Sequence, residues 1–464
     1  NRDRVDYKVF LRWLWGHSGA LRPPGQFPSA AEVALQLYRR GFSVRQLIRF
    51  VKEHRIRGSN GRKGLSDMTT ADVVREIIIP ETAAARCAMV DLFEGGPREP
   101  QCLMSHWWGN SFMSLVEAIM AHASGQVMPS EKLCTEEELE KTYWLCIFGV
   151  NQHVSICGTS WNPCSCKGEK FLNDHPLCEM NKFSLMMEHI REHAIAVDVK
   201  LVTFGRIWVL KELQTALSMG LHTEFCGTFN SGMSLASLPS VQQASASREE
   251  DKRLILAEIE ATIGIHGFDS SIFEKVRGER AKFAIMDAVA RRQVEVVDAL
   301  LAEDPSLCNA QLRCFGSKTP LHFLAERTRV ASEWEDAERR TVMLESLLRA
   351  RADCNLRDAR GRTVLHAICQ WDGSVEFAKR LVEARADVRA RVTDGAWAGK
   401  TPADILMAND TVKLEHVNRG FTDRSSSKKS ELFRYLMQQS KVNELEEMRG
   451  ASEKIGRCLR VSVS

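Results

Sequence analysis

Three segments in the last third of the chain repeat one pattern at the same internal offsets: Lys318-Thr319-Pro320-Leu321-His322, Arg362-Thr363-Val364-Leu365-His366-Ala367 and Lys400-Thr401-Pro402-Ala403-Asp404. A signature that returns along a chain marks units that cannot bury their apolar faces alone and must stack on their neighbours. Helical stretches follow the first two, Met343 to Ala350 and Val375 to Ala384, and end in Arg351-Ala352-Asp353 and Arg385-Ala386-Asp387. Pro320 and Val364 are 44 residues apart, and Val364 and Pro402 are 38 apart. The two lengths are unequal, and the polar stretches Arg327 to Glu338 and Thr393 to Gly399 are where inserted residues would lie. With a degenerate first unit at Ala281 to Leu312, residues 280–412 hold three or four units.

Upstream the pattern alternates. Gln101 to Ser105 reads as a strand, Ser111 to Ala123 as a helix, Tyr143 to Val150 as an apolar strand and Phe183 to His193 as a helix. Ala194 to Val199 then reads as a strand, Arg206 to Met219 as a helix and Thr223 to Phe225 as a strand. Mostly apolar strands separated by helices predict an α/β domain with a parallel sheet covered on both faces. It spans residues 65–275, with a cysteine-rich insertion at 153–180 and a boundary near Glu274 to Arg280. Before it, residues 1–64 form a basic helical region. Ser29 is an N-cap for a helix from Ala30 to Arg40, and Ser43 to His54 sets Val44, Leu47, Ile48 and Val51 on one face, with arginines and Lys52 largely on the other. The glycines of GSNGRKG (58–64) match neither phosphate-binding spacing and read as linker. Residues 413–464 form a polar end with a last helix from Glu431 to Arg449.

Length and composition bound the rest. A chain of 464 residues is too long for one core and suggests two or three domains. With 44% hydrophobic and 27% charged residues it falls in the globular range, which excludes disorder and fibrous classes. Sixty-three basic against 60 acidic residues leave +3, too little to bind nucleic acid by charge alone. Residues 1–64 hold 14 basic and 4 acidic side chains, so the remainder carries −7 and an anionic partner would meet the N-terminal part. Fourteen irregularly placed cysteines and no secretory signal fit reduced thiols and a cytoplasmic chain. No apolar run is long enough to cross a membrane.

Several constellations carry chemistry. Ser105, His106, Trp108 and Asn110 lie in the loop after the first strand, where backbone amides and polar side chains of a parallel sheet face a bound nucleotide or phosphate. The tryptophans either stack on a base or pack on the N-terminal helices. Asn151 and Gln152 end the apolar stretch from Trp144. Cys157, Cys164, Cys166 and Cys178 fall within 22 residues, with His153 and His175 close by. Four thiolates suit tetrahedral zinc, and a long loop gains order from a metal staple, although the spacing lacks paired C-x2-C knuckles and fits free thiols as well. His189-x-x-Glu192-His193 has the form of a metalloprotease motif, but Phe183, Met186, Met187 and Ile190 form the buried stripe and leave both histidines at the flank of one helix.

Two resemblances add to this reading. The Thr-Pro-Leu-His signatures resemble the opening of ankyrin repeats, in which the threonine and histidine hold the turn and the concave surface binds a protein partner. Arg206-Ile-Trp208-Val-Leu-Lys211-Glu212-Leu213 resembles the R-x-W-x-L-Q-E motif of the HET (heterokaryon incompatibility) family, and Trp144 to Gln152 resembles that family's W-x-D-x-x-C-I-N-Q strand. Cys146, Gly149, Val150 and Lys211 depart from those patterns. HET domains are similar to TIR domains, which implies a flavodoxin-like sheet of five parallel strands. In the TIR domains that cleave NAD a glutamate is catalytic, and its position here is Glu212, with Trp208 one turn earlier as a buried anchor. The resemblance implies that Glu212 stabilises an oxocarbenium-like centre. Its position just after the strand Ala194 to Val199 puts it in a cleft at the C-terminal edge of the sheet, shared with His106, Trp108 and Asn151, while Trp208 and Glu212, at i and i+4, also fit a core anchor and a helix-face charge. Three functions follow: an NAD-cleaving effector, a self-associating assembly module that makes the chain a homo-oligomer, and a non-catalytic ankyrin adaptor or scaffold.

Overall fold

The computed structural model describes residues 27–54, 64–125, 134–172, 175–198, 200–227, 239–246, 248–325, 333–371, 374–414 and 431–443. The aromatic and basic opening, most of the GSNGRKG stretch, the start of the Ser-rich segment and of the first insertion, and the C-terminal tail lie outside them. The chain is mixed α/β and divides into two compact units. Of the described residues, one comprises those within 1–42, 74–100 and 144–190, the other those within 43–73, 101–143 and 191–464. Five strands form a mostly parallel sheet in the order β1-β3-β2-β4-β5: β1 (Phe42–Ser43), β2 (Cys102–His106), β3 (Thr142–Trp144), β4 (Glu192–Val197) and β5 (His222–Gly227).

In the first unit, Ser29 caps the helix Ala30–Tyr38 through a reciprocal capping box with Glu32, as the sequence predicts. The apolar stretch from Tyr143 does not run on as a strand to Val150. It leaves the extended form at Trp144 and turns into a short helix, Cys146–Gly149. The Gln152 side-chain amide donates to the carbonyls of Ile147 and Val150 at 3.3 and 3.2 Å, satisfying the end of that helix. Gly149 is required there, since a Cβ would lie 2.8 Å from the Trp144 ring. The helix placed at Phe183 to His193 also stops early, at Met187. Five residues later Glu192 and His193 begin β4, so His189, Glu192 and His193 do not share a helix and the metalloprotease spacing loses its geometry.

In the second unit β4 lies between β2 and β5, parallel to both, with Cys102 opposite Glu192 and Glu192 opposite His222. Period-two alternation puts Leu103, Ser105, His193 and Thr223 on one face, and Cys102, His106, Glu192 and Glu224 on the other. The helix Ile207–Ser218 covers the first face and Phe112–Ser124 the second. The helix Gly264–Ala290 continues unbroken for 27 residues, across the boundary the sequence suggested near Glu274 to Arg280.

All three repeated signatures open helices, Pro320–Ala325, Val364–Trp371 and Pro402–Leu414, and each of these packs on the next. Thr319 Oγ1 meets His322 Nδ1 at 2.8 Å, and His322 Nε2 donates to the Arg362 carbonyl at 3.1 Å. Thr363 and His366 repeat this at 2.9 Å, with His366 Nε2 on the Lys400 carbonyl at 3.2 Å. In the third signature Asp404 replaces histidine: its carboxylate accepts from Thr401 N, and Thr401 Oγ1 accepts from Asp404 N. A second ladder runs along the turns: Asn309 Oδ1 accepts from Asp353 N, and Asn355 Oδ1 from Asp387 N, both at 2.7 Å. Arg351 and Arg385 hold left-handed backbones, φ 68° and 69°, at the ends of their helices.

Candidate metal centre and the Glu212 network

The first unit gathers His153, Cys157, Cys164 and Cys166, whose ligand atoms all lie within 4.8 Å of one another. His153 sits on the short helix Gln152–Ser155, capped by the Asn151 side chain, and Cys157 follows one turn later. Cys157 Sγ is 3.3 Å from His153 Nδ1 and 3.6 Å from Cys166 Sγ, and Cys164 Sγ is 3.5 Å from Nδ1. Ligands at about 2.0 to 2.3 Å from a tetrahedral zinc stand about 3.5 to 3.8 Å apart, so the set fits a Cys3His site. It corrects the four-cysteine expectation: Cys178 is buried outside the group, and His153 takes the fourth position.

The outer partners fix the histidine. Thr82 Oγ1 gives its proton to the Ile78 carbonyl at 2.6 Å, so it accepts from His153 Nε2 at 2.8 Å. Nε2 therefore carries the ring proton, and the Nδ1 lone pair faces the sulfurs. Burial, together with Lys170 and Arg86, lowers the pKa of His153 and keeps it the neutral ligand form. Burial raises Cys157 to about 11, against the Lys170 ammonium that contacts its sulfur at 2.9 Å. Desolvation opposes ionisation of Cys166, but the Gly168 amide and the neighbouring thiols lower its pKa. A cation at this site would replace that divided state with thiolates held by metal.

Asn151 belongs to the support of this centre. Its side chain accepts from His153 N and donates to the Arg86 carbonyl, and its own N–H donates to Glu179, which is paired with Arg40 at 2.6 Å. The amides expected to face a ligand are spent holding the entry to the metal loop.

Glu212 lies in the second unit. Its carboxylate accepts from the Ser105 hydroxyl, and Ser105 Oγ is 2.8 Å from His193 Nε2. The serine has one proton, so His193 donates through Nε2, while its Nδ1 lies 3.4 Å from Thr223 Oγ1. The four side chains form a line between the helix Ile207–Ser218 and the sheet face. Glu212 is 8% exposed, Ser105 2% and His193 1%. Burial raises Glu212 to about 7, against the Ser105 hydrogen bond, and burial with Lys275 lowers His193 to about 3. Near neutral pH the carboxyl is thus poised to give or take a proton beside a neutral histidine.

Of the expected loop contacts, the structure brings only Ser105 to Glu212. His106 points from the opposite face, pushed to about 4 by burial, with Nε2 unpartnered among the described residues. The Trp108 and Asn110 carbonyls accept from Ala71 and Thr70 N, and Asn110 Oδ1 from Ser111 N, so the loop is tied to residues 69–71. Trp208 is half-buried, and Ile207, Leu210 and Leu213 are the sealed anchors of its helix. His193 was missed because the preceding helix was carried through to it; a strand beginning at Glu192 would have placed it beside Ser105. Compared with protein-family models and curated protein sequences, the chain matches none.

Proposed function

We propose that the chain is an interaction protein in which ankyrin-like repeats bind a protein partner, joined to a HET/TIR-like α/β region whose cysteine loop is held by zinc. The observation that carries this reading is the repeated bond pattern, with Thr319–His322 and Thr363–His366 each passing a hydrogen bond to the next signature. Such a ladder makes a rigid stack whose exposed turns are free to vary and recognise a partner. Arg360 and Asp394 stand exposed on two such turns. A second reading, NAD cleavage through Glu212, is favoured by the raised pKa of that carboxyl beside Ser105.

Proximity labelling with the full chain tests the first reading. Arg360→Glu with Asp394→Lys should remove a reproducible neighbour that Glu212→Gln retains. Retention by both variants would refute partner binding through these turns. Nicotinamide release from NAD, abolished in Glu212→Gln, would instead establish the second reading.

A further inference from the structure

The sheet face opposite Glu212 carries a second convergence of metal-binding groups. Cys102 opens β2, Glu192 stands opposite it at the start of β4, and His122 comes from the last turn of Phe112–Ser124. Their ligand atoms all lie within 4.8 Å of one another. Tyr143 OH holds His122 Nδ1 at 2.8 Å, which leaves Nε2 for a ligand, and the Glu224 Oε2 atom lies 3.8 Å from that nitrogen. Glu224 Oε1 meets His222 at 2.7 Å, whereas Oε2 is sealed from solvent with no hydrogen-bond partner among the described residues. A buried carboxylate oxygen without a partner is costly, and a cation removes that cost.

We propose that Cys102, His122 and Glu192 bind a second divalent cation, zinc, and that Glu224, whose Oε2 lies near His122 Nε2 but outside the three mutually close ligands, swings in as the fourth, clamping Phe112–Ser124 to the start of β2, β4 and β5. One sulfur, one imidazole nitrogen and two carboxylate oxygens make a mixed set within the ligand range of Zn2+. Tyr143 is the outer partner that orients the histidine, as Thr82 does in the other unit. Glu192 also pairs with Arg313, close to where Gly125 and Gly316 meet. A Cβ on Gly125 would fall 2.7 Å from Gly316 Cα. Arg313 and Lys141 offset the two carboxylates, so the metal with its thiolate leaves a net charge of one. Cys102 and His122 are almost fully buried, which marks the site as structural, with no open position for a substrate.

The test is metal content of the purified full chain, loaded with zinc and desalted. Two equivalents are expected. Cys164→Ser with Cys166→Ser should leave one, and adding His122→Gln or Glu224→Gln should remove it. Cobalt loading of the Cys164→Ser, Cys166→Ser chain should give the weak charge-transfer band of a single thiolate, lost on Cys102→Ser. If the two-serine chain does not fold, His122→Gln and Glu224→Gln in the parent should each lower two equivalents to one. Failure of the Cys3His site alone would read as one equivalent that His122→Gln removes. Zinc content unchanged by both His122→Gln and Glu224→Gln would overturn the second site.

Discussion

Replacing Glu212 by glutamine should change how the fold responds to pH in a definite window. Burial, opposed by the Ser105 hydrogen bond, pushes the Glu212 carboxyl from its ordinary value of 4.5 up to about 7. At about 1.36 kcal/mol per unit this corresponds to about 3 kcal/mol. Below the unfolded value both states hold the proton, and the contribution of Glu212 is fully present. Between about 4.5 and about 7 the folded chain retains a proton that the unfolded chain has lost, so stability falls as pH rises. Above about 7 both forms are ionised and the loss is complete. Buried histidines work the other way: His193, lowered to about 3, and His366, lowered to about 4, favour the fold as pH rises towards the unfolded histidine range. The measurement is therefore a difference, the urea midpoint of the parent against Glu212→Gln, followed by circular dichroism at pH steps from 4.5 to 8. Glutamine keeps the shape and can still accept from Ser105, but it has no proton to lose. The gap between the two should shift by about 3 kcal/mol in favour of glutamine across the window and stay level beyond it. A gap independent of pH would refute the assignment of a buried, raised carboxyl.

Thr82→Val removes the acceptor that fixes the His153 tautomer while keeping every ligand; zinc affinity should fall about 10- to 100-fold, read by competition with a chelating dye, and unchanged affinity would reject the tautomer argument. Arg351→Gly and Arg385→Gly relieve left-handed backbones, so each should raise the unfolding free energy by about 0.5 to 1 kcal/mol, checked by urea titration; a loss of stability would mean that these arginine side chains contribute more than their strain costs.

Local signals in the chain determined its helices and the repeated turns. Ser29 with Glu32 specifies an N-terminus, and Thr319, Thr363 and Thr401 specify helix entries, because each acts through bonds within three residues. The cysteine cluster was legible as a metal candidate for the same reason, since His153, Cys157, Cys164 and Cys166 occupy one loop. The choice of His153 over Cys178 was not legible; it depends on Thr82, 71 residues earlier, turning the imidazole towards the sulfurs. Strand ends were misread at Trp144 and Glu192, where apolar runs suit helix and strand alike and the alternatives are decided by Gln152 capping one and by the ladder with β2 and β5 drawing in the other. Only tertiary structure brought Ser105 within reach of Glu212, 107 residues later, and set His122 against Cys102 and Glu192. Parallel strands put such residues side by side only after long crossovers have closed, so their shared chemistry leaves no spacing in the sequence to find.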